Sequence, residues 1–164
     1  MITTAHFIVG AAVGVATGNP YAGFVAGVVS HFVVDTIPHF DVPLSAAHDQ
    51  DDNLVFTPAL WTQVLVDGIV GLVVLAWLWG YLDTFSLVSP VLWGALGGFF
   101  PDLIDNVPFW NKAFRRTRFG TAFHRFHDST HAAWKKTFPM KRFWWLGILT
   151  QLVTIIISLN YLFS

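Results

Sequence analysis

Three imidazoles at helical spacing are the first residues in this chain that could do chemistry: His124-x-x-His127-x-x-x-His131. At about 100° per residue they share one face of a helix, with Asp128 beside them. Two further polar groups stand at the ends of apolar stretches. In Ser30–Asp41, His31 and Asp35 are one helical turn apart, Pro38 stops the helix, and His39 and Asp41 follow. In Pro101–Asp105, Asp102 and Asp105 place two carboxylates on one face, an arrangement that calls for a cation or a raised pKa. The chain has no cysteine, so a metal bound here takes imidazole and carboxylate donors, which points to zinc, manganese or iron.

Each group also has a plainer reading. The three late histidines could belong to a basic interfacial helix and merely tolerate the headgroup region. His31 and Asp35 could be a buried pair that only fastens two helices, and a buried charge needs a partner in either case. Asp102 and Asp105 could be turn or capping residues ahead of Pro108. The expectation here is a metal site of His31, Asp35, Asp102, Asp105, His124, His127 and His131, with His6, Asp67 and His39 as additional ligands. That is more donors than one four-coordinate zinc takes, so two or more divalent ions are expected. An uncoordinated Asp41 or Asp128 is the expected general base, and Arg115, Arg116 or Arg125 the expected holder of a headgroup or phosphate.

The elements that must position these residues are apolar helices. Of 164 residues, 54% are hydrophobic and only 12% charged, about half the charge of a soluble domain. Five apolar segments are read as membrane helices: Ile2–Thr17, Tyr21–Ile37, Ala59–Tyr81, Val91–Ile104 and Phe143–Phe163. The first has no basic n-region and is expected to stay in the mature chain rather than act as a signal peptide. A surface helix over about residues 112–136 carries Phe123, Phe126 and Trp134 beside the histidines, with Arg125 and Lys136 opposite. The fold class expected is therefore an all-α membrane bundle, one domain, with this surface helix over its mouth.

Two internal copies are expected. Asp35-Thr36-Ile37-Pro38 matches Asp105-Asn106-Val107-Pro108 at an offset of 70, which also pairs Pro20 with Pro90 and Gly27 with Gly97. His6 matches Asp67 at an offset of 61. Residues 1–41 and 59–110 thus read as repeated helical hairpins, an arrangement that often sets a polar site at the repeat interface. All nine Lys and Arg lie between Lys112 and Arg142, so that segment and the N-terminus are expected to be cytoplasmic. Counting crossings then puts His6, Asp35, Asp67, Asp102 and Asp105 near one face at similar depth.

At these residues the chain resembles the YdjM-like family of inner-membrane metal-dependent hydrolases. The shared features are His6 in the first helix, the Ser30–His39 segment, Pro101–Asp105, and the cluster of His124, His127 and His131. A looser similarity is to zinc-dependent phospholipase C, which also gathers His and Asp ligands from helices, although this chain has no Glu. The resemblance implies a membrane-bound metal hydrolase. Together with the site's interfacial depth it suggests phosphoester bonds in lipids or lipid-linked substrates, with membrane lipids as partners and no nucleic acid. Two alternatives use the same residues: a divalent-metal or proton transporter, and a non-catalytic scaffold with a structural metal or bis-His haem.

Overall fold

The computed structural model describes residues 1–39, 57–83, 85–107, 109–135 and 140–164. Among them are seven helices and no strand: α1 (Thr3–Thr17), α2 (Pro20–Asp35), α3 (Pro58–Asp83), α4 (Pro90–Asp105), α5 (Asn111–Arg115), α6 (Arg118–Lys135) and α7 (Met140–Leu162). The all-α expectation holds. The expected surface helix is two helices, broken where the Thr117 hydroxyl accepts from Gly120 N to begin α6. At Gly120 a Cβ would overlap the Phe114 carbonyl, so the close turn between α5 and α6 needs glycine.

Local chemistry sets the helix ends. Gly18 closes α1 in the left-handed region (φ 62°). Asn19 then caps α2 by accepting from Tyr21 N (2.9 Å) and Ala22 N (3.1 Å), with Pro20 at the first helical position. Seventy residues on, Ser89 caps α4 by accepting from Leu92 N (3.0 Å), followed by Pro90. Both helices run 16 residues and end on an aspartate, Asp35 and Asp105.

Helices α1, α2 and α4 pack on one another, and α3 and α7 flank α1. The triple contact is made by glycines set against backbone. A Cβ on Gly27 would overlap the Gly94 carbonyl, and one on Gly97 would overlap the Phe24 carbonyl. Small residues of this kind let helices approach where lipid supplies no hydrophobic drive to associate.

Helix length corrects one expectation. Among the described residues two helices, not five, are long and apolar enough to cross a membrane: α3 and residues Phe143–Leu162 of α7. Helices α1, α2 and α4, of 15–16 residues, rise only about 23 Å, short of a hydrocarbon core of roughly 30 Å. The outward surfaces are nonetheless apolar: Val25, Ile69, Val73 and Ile157 are each about 60% exposed.

Candidate metal centre

Helices α1, α2 and α4 bring His6, Asp35 and Asp102 to one end of the bundle, and α6 lies across that end. Asp35, fully buried, is the hub. Its Oδ1 faces His6 Nε2 (3.3 Å) and His39 Nε2 (3.7 Å), and also takes a hydrogen bond from the Met1 amine (2.8 Å). Its Oδ2 faces His31 Nε2 (3.0 Å), His131 Nε2 (3.3 Å) and His127 Nε2 (3.6 Å). Asp102 Oδ1 lies 3.6 Å from His127 Nε2 and 3.9 Å from His31 Nε2, and its Oδ2 lies 3.9 Å from His6 Nε2. Three groups result whose donor atoms are close enough to share an ion: His6, His31 and Asp102; His31, Asp35 and His127; Asp35, His39 and His131.

The rings are oriented from behind. His31 Nδ1 donates to the Gly98 carbonyl (2.8 Å), His39 Nδ1 to the Ile37 carbonyl (2.7 Å), and His127 Nδ1 to Asp105 Oδ2 (3.0 Å). Each bond accounts for the Nδ1 hydrogen and turns Nε2 to the cluster, which is how protein acceptors orient metal-ligating histidines. The Met1 amine confirms the lone pair on His39 by donating to its Nε2 (2.7 Å). His6 is fully buried and stacked on His31 (centroids 4.0 Å apart), yet neither of its ring nitrogens makes a hydrogen bond. A buried imidazole so placed fits the donor set of a metal site.

His127 shows the local charge balance. Burial opposes its protonation, but hydrogen bonds to Asp105 and Asp35 and the nearby Asp102 carboxylate push its pKa up to about 9. The pocket thus favours a cation at that position.

Several expected ligands sit elsewhere. Asp67 accepts from Thr3 N (2.6 Å), Thr4 N (3.2 Å) and Thr4 Oγ1 (2.8 Å), so it satisfies the orphan amides at the start of α1 and lies outside the three donor groups. Asp105 faces away from the converging Nε2 atoms. It accepts from His127 Nδ1, from His124 Nδ1 (2.9 Å) and from Arg115 Nε (2.9 Å), and so backs the site instead of ligating. His124 is turned to Asp105 and is part-exposed, outside the three donor groups. Arg115 is held in that ion pair and is not a free headgroup holder. Arg116 and Arg125 are exposed. Asp128 is exposed on α6 and in none of the three donor groups. Asp41 lies outside the described residues.

The Gly98 carbonyl was not foreseen, because a backbone acceptor has no signature in residue type. Its nearest signal is the Gly97-Gly98 pair ahead of Pro101, where backbone comes close to neighbouring helices. No protein-family model, curated protein or solved structure matches the chain.

Proposed function

We propose that this chain is a membrane-embedded, metal-dependent hydrolase of phosphoester bonds in lipids or lipid-linked substrates. Two or more divalent ions, zinc in the first instance, would be held by Asp35 and Asp102 with His6, His31, His39, His127 and His131. The observation that carries this reading is the convergence of Nε2 atoms from His6, His31, His39, His127 and His131 on the two oxygens of one buried aspartate. The donor set is nitrogen and carboxylate oxygen, which suits zinc and its neighbours. Resemblance to the YdjM-like family points the same way.

In this reading α3 and α7 span the bilayer and the three shorter helices sit within it, the mismatch being met by local thinning. The basic residues of α5 and α6 support a site at the cytoplasmic face. Bound ions would supply an acidified water and a clamp for phosphate oxygens. The chain's own residues do the rest. Gly98 and Asp105 hold two rings in register, and Asp102, with a side chain 19% exposed against 1% for Asp35, marks the side from which water and substrate enter. Arg116 and Arg125, exposed on the α5–α6 segment, would be cations available to meet a phosphate.

Metal or proton transport would need polar groups continuing past the cluster. Among the described residues the next turns of α1, α2 and α4 are instead closed by Gly10, Gly14, Gly27 and Gly94 against backbone.

The test is elemental analysis of purified protein, wild type against His127→Ala, with turnover of phosphatidic acid and polyprenyl phosphate measured in parallel. Stoichiometric metal and turnover, both lost in the variant, are expected. Absence of metal after supplementation refutes the centre, and metal without turnover of any phosphoester refutes the hydrolase.

A further inference from the structure

Asp102 is the most exposed donor of the centre, its side chain 19% accessible where that of His131 is 14% and that of Asp35 1%. The imidazole nitrogens nearest its oxygens stand at 3.6–3.9 Å, beyond hydrogen-bond length. Its orientation comes instead from Asn106, one helical turn on, whose Nδ2 donates to Asp102 Oδ1 at 2.7 Å. Asp102 is thus held from outside the cluster, by the residue that ends α4.

Asn106 is held in turn. Its Oδ1 accepts from Arg115 Nη2 (3.3 Å), and the amide can face only this way, since the reverse would set donor against donor at the guanidinium. The same Nη2 donates to the Asp105 carbonyl (2.8 Å), and Arg115 Nε donates to Asp105 Oδ1 (2.9 Å). Asp105 Oδ2 then takes the Nδ1 hydrogen of His127 (3.0 Å). One planar guanidinium therefore stands behind two lines of contact, Asn106 to Asp102 and Asp105 to His127. These end in different donor groups, the first with His6 and His31, the second with His31 and Asp35.

The first hairpin shows that a helix end of this kind does not require such a bracket. Thr36 stands there in the place of Asn106, and its hydroxyl donates back to the Val33 carbonyl (2.6 Å) within its own helix. The place of Asp102 is taken by Phe32, so that turn has no carboxylate to hold.

We propose that Arg115 and Asn106 are positioning residues of the metal centre: one guanidinium sets Asp102 through Asn106 and His127 through Asp105. Their role depends on the metal centre inferred above, though not on the reaction assigned to it. Lysine cannot fill the place of Arg115, because a point charge has no fork with which to meet Asp105 and Asn106 together. Groups that stand behind metal ligands in this way are worth about 10–100-fold in metal affinity.

The experiment titrates cobalt(II) into chelator-treated full-length protein in detergent. Its visible ligand-field spectrum is recorded, its affinity is measured against a competing chelator, and unfolding is followed on the same samples. Asn106→Thr installs the side chain of the first hairpin, which can close the helix end as Thr36 does but offers Asp102 no amide. It is expected to unfold as wild type does, to bind cobalt about 10–100-fold more weakly and to alter the spectrum. Arg115→Lys is expected to weaken binding by at least as much. Trp110→Phe is the structural control, since it removes another bond to the end of α4, from Trp110 Nε1 to the Leu103 carbonyl (2.9 Å), and reaches no donor. Lower stability with wild-type affinity and spectrum is expected of it. Unchanged affinity and spectrum in Asn106→Thr or in Arg115→Lys overturns the proposal. So does a loss of affinity in Trp110→Phe as large as in Asn106→Thr, which would reduce the bracket to a fastening of the helix end. Those failures leave the centre standing, whereas wild-type protein that binds no cobalt removes the centre and its bracket together.

Discussion

His31 and His127, 96 residues apart in the chain, point their Nε2 atoms at each other across 3.1 Å. Each ring has already committed its Nδ1 hydrogen, to the Gly98 carbonyl and to Asp105. Two neutral rings so arranged face lone pair to lone pair, a repulsive contact unless something positive sits between or beside them. Two imidazoles on one tetrahedral zinc, each about 2.0–2.1 Å from the ion, have their nitrogens about 3.3 Å apart. In the absence of metal the raised pKa of His127 supplies the alternative, a positive charge on that ring.

The first prediction separates ligand from support. His127→Ala removes a donor to the shared site, whereas Asp105→Asn leaves every donor in place and loosens the ring behind it. Asp105→Asn is expected to weaken metal binding by about 10–100-fold, and His127→Ala by more. A chelator-competition titration reads both. Equal affinity in Asp105→Asn and wild type would show that the backing carboxylate does nothing for the metal.

Asp67 gives the opposite pattern. Its carboxylate takes two backbone amides and a hydroxyl at the start of α1, so Asp67→Ala leaves α1's first turn unsatisfied. A loss of about 1–3 kcal/mol of stability is expected, measured by denaturation in detergent, with metal stoichiometry at saturating metal unchanged. A drop in the number of bound ions would return Asp67 to the ligand set.

These two aspartates show where residue type and spacing stop being informative. The helices were legible because Asn19-Pro20 and Ser89-Pro90 start them and Gly18 and Pro38 end them, all through local backbone chemistry. The shared depth of the polar residues was legible too, since counting helix ends from the basic segment put His6, Asp35, Asp67 and Asp102 at one level. Which way each carboxylate turns at that level is a tertiary fact. Asp67 matches His6 in the repeat and lies at the right depth, yet it meets the amides of Thr3 and Thr4 first. Asp105 occupies the same repeat position as Asp35, but it faces α6 and Arg115 while Asp35 faces the cluster. The count of crossings failed for a simpler reason. Apolar character alone does not give length, and α1, α2 and α4 stop at 15–16 residues.

The glycine contacts can be tested through the site they hold. At Gly94 a Cβ would overlap the carbonyl of Gly10 and crowd Gly14. Gly94→Ala must therefore push α4 from α1, at a cost of about 1–3 kcal/mol. Because His6 comes from α1 and Asp102 from α4, the same change is expected to lower metal affinity without touching a ligand. Retained affinity with lowered stability would show that the cluster tolerates helix separation.

The pH dependence of the metal-free protein follows from His127, and its sign can be stated. The ring's pKa lies at about 9 in the folded chain, above the ordinary 6.5. A raised folded-state pKa stabilises the charged, folded form. That contribution is complete below pH 6.5 and is lost as pH rises through about 9. Chelator-treated protein should therefore melt at progressively lower temperature from pH 6.5 to 9. His127→Ala should remove that slope, since the group responsible is gone. Metal-loaded protein should show the reverse trend at the acid end. There protons compete with the ion for imidazole, so apparent affinity falls as pH drops. Thermal scans of the two forms across this range are then expected to converge at low pH, where the metal is displaced, and to diverge as pH rises. Parallel curves for the chelated and loaded protein would mean that no ion takes the place of the proton on His127, and the centre would have to be sought elsewhere.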